Sequence, residues 1–384
     1  MPSPQRLPVA PLALLTASLF GAVTTEVLPV GLLPQLAEAF DVDRSRIGWW
    51  VSAYAIVVAL GAIPLTAWLA RFRRRRVLIG LLSLYALSNA AILFAPGYGW
   101  AVAVRLLGGV AHAGIFSVVV GTTVALVAPG RRGRALAVVN GGVALALAAG
   151  VPLGTALGEA VGWRWAFGAA SILLAGFALA ALVVLPRDDA RFAGEPPPSV
   201  LTALRGRRLR TVALGAAVVA LGHFTAYTYI TPIVLAAGVS QGGVSTVLFG
   251  YGAASFAGLI VSGNLVDRYP GRSLAGTVLV VTACLLAAAA ALGSHGAVVV
   301  VLVVVWGAAF GGLPTLTQTA ALRASRDSDA APAVINATFN VGIAGGAWLG
   351  GLLLMVDLRV AMVVGGVLAA SGLLAFRQRR MMLA

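Results

Sequence analysis

The chain has 384 residues, 60% of them hydrophobic and only 10% charged, with a mean hydropathy of +0.97. Soluble domains carry about 25% charged residues, so this composition leaves too little polar surface to hold the protein in water. It excludes the soluble enzyme classes and makes lipid the expected solvent. The net charge is +15 and all 27 basic residues are Arg; so basic a balance signals either nucleic-acid binding or membrane topology, and placement decides which.

Runs of about 20 mainly apolar residues, the length that crosses the hydrocarbon layer, occur twelve times: 10–35, 47–70, 77–95, 99–128, 135–161, 165–186, 209–237, 244–266, 273–293, 297–323, 332–355 and 358–377. The first follows a single basic residue, Arg6, but is too long for the apolar core of a secretory signal and carries Pro29 and Pro34 near its far end, so it reads as a span. With a cytoplasmic N-terminus, 22 of the 27 arginines fall on cytoplasmic segments, and only Arg44, Arg46, Arg164 and Arg359 on the other side. This is the positive-inside pattern. It places both termini in the cytoplasm of a multi-pass cell-membrane protein, with anionic lipid as a possible contact. Nucleic acid is not an expected partner, because no basic domain lies outside the bilayer. The longest connection, 187–208, contains Pro196, Pro197 and Pro198 and separates six spans (1–186) from six (209–384). Val200 to Arg210 reads as a short amphipathic surface helix.

The two groups of spans echo each other at an offset near 197. Val139-Asn140 matches Ile335-Asn336, Gly150 and Gly154 match Gly346 and Gly350, Arg71-Phe72 matches Arg268-Tyr269, and Pro34 matches Pro232. A shift of six spans preserves direction, so the halves are parallel repeats about an axis along the membrane normal, an arrangement that places a substrate site between them near mid-bilayer.

A charge at mid-membrane costs roughly 2.5–3.5 kcal/mol on insertion scales, so embedded ionisable residues mark working sites. Those inside the spans are Glu26, Arg105, His112 and His223. Counting 1.5 Å per residue from the outer ends, Glu26 and Arg105 sit at similar depths, roughly 9–14 Å down, and meet if their helices adjoin. Desolvation opposes a carboxylate's charge and a nearby cation favours it, so a Glu beside an Arg can load and release a proton as a site opens to either side; a permanent ion pair fixing two helices is the competing reading. His223 falls at the repeat position of Glu26 and is the third proton-coupling candidate; it opens Gly222-His223-Phe224-Thr225-Ala226-Tyr227-Thr228-Tyr229, whose rings and hydroxyls suit a partly apolar ligand. His112, one heptad after Arg105 and so on the same face, reads as a satisfied buried histidine, with a proton relay as the competing reading. Phe224, Tyr227 and Tyr229, with Gln318, Asn336 and Asn340 from the tenth and eleventh spans, are the substrate-binding candidates. Small residues four apart (Gly150, Gly154 and Gly158; Gly250, Ala254, Gly258 and Ser262; Gly342, Gly346 and Gly350) form faces for close helix packing, on which halves can rock, and Pro152 suits a bend. Cys284 stands alone, and no metal or cofactor set is present in the pattern.

These residues together resemble the twelve-span drug:proton antiporters of the major facilitator superfamily. Gly263-Asn264-Leu265-Val266-Asp267-Arg268-Tyr269-Pro270-Gly271-Arg272 matches that family's cytoplasmic-loop signature, which implies a gate built from Asp267, Arg268 and Arg272; in the first-half counterpart Ala70 holds the aspartate's place. Arg105-Leu106-Leu107-Gly108-Gly109 looks like the family's Arg-x-x-x-Gly element, and Gly150-Val151-Pro152-Leu153-Gly154 resembles its fifth-span Gly-Pro signature. Thr25-Glu26 and Asn336 to Gly351 are similar to the branch of arabinose-efflux and chloramphenicol-efflux proteins. The resemblance implies an all-α membrane protein of twelve transmembrane helices in two pseudo-symmetric halves. It would be no enzyme but a monomeric, proton-driven exporter of a small-molecule substrate, without cofactor or metal. Export of a sugar, nucleoside or other polar metabolite, and passive facilitation, are the alternatives.

Overall fold

The computed structural model describes residues 7–69, 71–128, 131–186, 205–265, 270–324 and 330–377. Within these residues every regular element is a helix. The first half runs α1 Val9–Gly31, α2 Leu33–Ala39, α3 Arg44–Leu69, α4 Arg74–Leu93, α5 Tyr98–Leu126, α6 Arg132–Leu145, a π-helical turn Ala146–Gly150, α7 Val151–Val161 and α8 Trp163–Val184. The second half runs α9 Arg207–Tyr227, α10 Ile230–Ala236, α11 Val244–Leu265, α12 Pro270–Ala291, α13 Gly296–Ala324, α14 Ala330–Leu354 and α15 Leu358–Arg377. Eleven helices are long and apolar enough to cross a membrane, and α3, at 26 residues, completes the twelve expected spans. The linker as far as residue 204, with its three prolines, lies outside the described residues; of Val200 to Arg210, residues 205–210 are described, and the last four begin α9.

Proline decides where the spans bend. Pro34 and Pro232 stand at the start of the short helices α2 and α10, after breaks at Leu32 and Thr228-Tyr229, so the first and seventh spans end alike. In the fifth span the ring of Pro152 has no N–H for the carbonyl of Ala148, one turn back, and would crowd it. The chain answers with the widened π turn Ala146–Gly150. Gly162, at φ +98°, turns the chain from α7 directly into α8, a conformation that a side chain would strain.

The glycine faces seat themselves within each half. Gly154 lies against Leu28 of α1, where a Cβ would come 2.5 Å from Cδ1, Gly150 meets Thr24 on the same helix, and Gly158 meets Leu32 at the break that follows it. The repeat reproduces this: Gly346 lies against α9, where a Cβ would stand 2.6 Å from Leu221 O, and Gly350 meets Thr225. On α11, Gly258 presses on the Ala308 carbonyl of α13. At the arginine-rich end, Arg74 donates to Gly121 O at 2.8 Å and Arg75 to the carbonyls of Ala181 and Leu182 in the last turn of α8, where cations suit the helix dipole.

Other contacts join the halves. α3 runs along α14, and the π turn and α7 pack on α11. Gly252 of α11 fits against the π turn so closely that a Cβ there would stand 2.6 Å from both Cα and O of Ala148. At the arginine-poor end, Thr231 donates to Val30 O at 2.9 Å, the Ser245 N–H donates to Glu159 at 3.3 Å, and Tyr229 and Trp49 fill the space left by Gly48 and Gly351. A small cleft there is lined by Gly31, Gln35, Glu159, Thr231 and Gln241.

Two glycines in comparable helices are expected to respond oppositely to an added methyl. Gly346→Ala forces Cβ onto Leu221 O and should cost about 1–3 kcal/mol as overpacking. Gly141→Ala meets nothing within 4 Å and should be neutral or stabilising by up to about 1 kcal/mol from helix propensity. Unfolding in mixed detergent micelles reads both.

Candidate functional site

The first-half site starts from Pro29. Lying inside α1, it has no N–H for the carbonyl four residues earlier, that of Thr25. Arg105 of α5 fills the vacancy: Nη1 donates to Thr25 O and Nη2 to Glu26 O, each at 3.1 Å. The guanidinium is 1% exposed and lies 4.5 Å from the Tyr54 ring centre and 5.9 Å from that of Trp50, in cation–π range. The Glu26–Arg105 meeting expected from their depths is thus real, but its hydrogen bonds run to the main chain of α1.

The carboxylate of Glu26 faces His112, with Oε2 3.7 Å from Nε2. The two side chains are 12% and 6% exposed. The His112 ring meets Tyr54 of α3 and Tyr85 of α4 edge-on, with centres 5.9 and 6.2 Å apart. Tyr85 donates its hydroxyl to Ala22 O, so across the 2.6 Å contact between the two hydroxyls Tyr54 is the donor. Asn89, also buried, donates to Tyr85 O. Four helices therefore converge on one acidic, one basic and one imidazole group. Tyr54 and Tyr85 carry no signature in an apolar run, although Tyr251 lies one repeat from Tyr54 and marks the position in hindsight.

The matching place in the second half is aromatic. His223, fully buried, stacks on Phe310 with ring centres 3.4 Å apart and on Tyr227 at 5.1 Å, and its Nδ1 accepts a hydrogen bond from Trp306 Nε1 at 3.1 Å. An imidazole whose Nδ1 accepts carries its proton on Nε2 and is neutral. Tyr251 closes the cluster, 5.3 Å from Tyr227 and 5.7 Å from Trp306. Glu26 and His223 are one repeat apart, as are His112 and Phe310. One position thus holds an ionisable pair in one half and stacked rings in the other, and the partners named for His223 include no carboxylate or guanidinium.

Of the substrate-binding candidates, Phe224, Gln318 and Asn336 are half-buried. Asn340 is buried, donates to Asn336 O and leaves its Oδ1 without a hydrogen-bond partner. Tyr227 is packed in the aromatic cluster, and Tyr229 is fully buried, its hydroxyl donated to Ala347 O at 2.9 Å beside the junction with α3. Gly150, Pro152, Gly154, Gly346 and Gly350 lie in the packing faces described above. Of the gate candidates, Asp267 and Arg268 fall outside the described residues, and Arg272 is exposed near the start of α12. Glu159 passed unnoticed as a span-end residue, yet it bridges the halves. No group of three metal-binding side chains occurs among the described residues.

The profile of the Major Facilitator Superfamily matches residues 14–331, and the chain belongs to that superfamily. It is 37% identical over 278 residues to a chloramphenicol resistance protein of Streptomyces lividans, covering 71% of each chain. It is 30% identical to a probable sugar efflux transporter of Mannheimia succiniciproducens, over 92% of this chain and 89% of that one. It is 32% identical to a chloramphenicol efflux pump of Mycobacterium tuberculosis, over 89% and 85%. Among solved structures, a bacterial homolog of the human lysosomal transporter Spinster, inward-facing and unoccupied, shares the fold with a TM-score of 0.72, 16% identity and coverage of 99% and 98%. The chain is therefore a multi-pass membrane transporter and not an enzyme.

Arg105→Met keeps the bulk but removes two charge-assisted bonds of about 1.5–3 kcal/mol each. Unfolding in mixed micelles should show a loss of about 3 kcal/mol or more. Arg105→Lys should restore part of it, since an ammonium cannot span both carbonyls as the fork does.

Proposed function

We propose that the protein exports small, partly apolar molecules in exchange for protons, by alternating access of a site between its halves. The observation that carries this reading is the Glu26 carboxylate, held inside the membrane beside His112 on the helix turn that Arg105 secures. Buried where water is scarce, a carboxylate is stable when neutral or when partnered, so opening to opposite sides changes its hold on a proton. The efflux relatives supply the direction, and the chloramphenicol pumps among them supply the substrate class. The second-half wall of Phe224, Phe310, Trp306 and the tyrosines fits an aromatic solute better than a sugar. The sugar-efflux relative, matching over nearly the whole chain, makes sugar export the second reading.

No further energy source is required, and no cofactor. One proton entering down 100 mV yields about 2.3 kcal/mol and one pH unit adds about 1.4; the sum sustains a neutral-solute gradient of several hundredfold. The positive-inside pattern of the sequence supports a cytoplasmic position in the cell membrane for the arginine-rich end; in this reading the closed junction of Thr231, Glu159 and Tyr229 faces outward and the site loads from inside. The loop of Asp267, Arg268 and Arg272 gates the cytoplasmic side, Asn336 and Asn340 meet the substrate, and the protein works as a monomer.

The test is accumulation of labelled chloramphenicol and of labelled arabinose in cells expressing the wild type or Glu26→Gln. Wild-type cells should exclude chloramphenicol until a protonophore collapses the gradient, and Glu26→Gln cells should accumulate it throughout. Exclusion of arabinose alone selects the second reading. Exclusion by the mutant equal to the wild type, or indifference to the protonophore, defeats proton coupling.

A further inference from the structure

We propose that His112 is the second half of the proton-carrying site: Glu26 and His112 share the transported proton, and Arg105 is a fixed charge that positions them. This rests on the proton-coupled reading above and names the residue that makes it work. The carboxylate and the imidazole are the closest pair of opposite ionisable side chains in the first-half site, 3.7 Å apart between Oε2 and Nε2. Such a separation closes to a hydrogen bond with a small rotation, as catalytic pairs do when a site tightens. The other imidazole nitrogen, Nδ1, is buried and has no hydrogen-bond partner. Buried polar atoms are ordinarily bonded, so an imidazole with one nitrogen on a carboxylate and the other bare is set to take up or hand on a proton. His223 also has a bare buried nitrogen, Nε2, but its Nδ1 accepts from Trp306 instead of facing a carboxylate, and its ring is clamped by Phe310.

The neighbours limit how many protons the pair holds. From α1 comes Glu26, from α5 Arg105 and His112, from α3 Tyr54 and from α4 Tyr85. The tyrosine hydroxyls form a chain that ends on the Ala22 carbonyl, so they hold the ring faces and pass no proton to the pair. With Arg105 always charged, the empty pair (carboxylate and neutral imidazole) makes the cluster neutral, and one shared proton makes it +1. A second proton would make it +2 in a dry setting. The pair therefore binds one proton from water on the outer side, between Oε2 and Nε2, and gives it to water on the inner side.

Two measurements on purified full-length protein test this. In empty proteoliposomes with an acidic interior, His112→Gln should lose pH-gradient-driven uptake of labelled chloramphenicol by at least about tenfold, a change of about 1.4 kcal/mol. In proteoliposomes loaded with unlabelled chloramphenicol and held without a gradient, it should keep the exchange of labelled for unlabelled chloramphenicol, which needs no net proton movement. Gradient-driven uptake at the wild-type level in His112→Gln, with Glu26→Gln inactive, overturns the role of His112 and leaves proton coupling standing; uptake unchanged in both overturns proton coupling itself. Loss of exchange in His112→Gln also counts against the proposal, since it assigns the ring to folding or substrate contact. The second measurement needs no substrate: the chain has three histidines, His112, His223 and His295, so nitrogen-15 imidazole spectra resolve them. The His112 signal should change when Glu26→Gln removes the carboxylate; a His112 signal identical in the two proteins refutes a shared proton.

Discussion

A proline inside a lipid-facing helix leaves one carbonyl without its donor, and in hydrocarbon no water can replace it. Much of this structure follows from how those carbonyls are answered. Pro29 orphans Thr25 O, which receives Arg105; Pro34 orphans Val30 O, which receives Thr231 from the other half; Pro152 orphans Ala148 O, against which Gly252 of the other half is pressed. One proline thus fixes the charge at the site, and two fix where the halves touch. The positive charge within the membrane becomes tolerable partly for the same reason, because one of its two donors meets a carbonyl that has lost its own.

The two halves use one architecture for unlike chemistry. Tyr54 and Tyr251 stand at equivalent places, yet the pair Glu26 and His112 in one half is answered by His223 and Phe310 in the other. Each half buries its own hydrophobic cluster, and a third cluster at the arginine-poor end takes in Tyr229 of the second half among first-half residues. The first half therefore holds an ionisable pair, and the second a stacked aromatic cluster around His223, whose Nδ1 accepts from Trp306.

The spans, their break points and the repeat were legible because they depend on composition and on residues with stiff backbones: hydropathy marks crossings, and Pro34 and Pro232 mark the same bend twice. The site was half legible. Depth along helices placed Glu26 near Arg105 and the seven-residue spacing put His112 on the same face, but spacing does not say which of two groups on a face meets a carboxylate. The guanidinium was drawn to Thr25 O by a proline on another helix, and that left the imidazole for Glu26. Likewise a four-residue glycine spacing announces a close approach without naming the partner, which for Gly154 is Leu28 in its own half. Glu159 escaped notice because a carboxylate at a span end looks solvated until the opposite half closes over it.

The bond between Thr231 and Val30 O has a further meaning for motion. A hydrogen bond in a dry core resists breaking by several kcal/mol, whereas one exchanged for water loses only about 0.5–1.5 kcal/mol net. In the proposed alternating-access cycle, solvent entering as the halves part at that end would supply the very partner the carbonyl loses. The junction would then be sealed by an interaction that unlocks itself by flooding, while the Thr25 carbonyl, bonded to Arg105 of the same half, would need no such exchange.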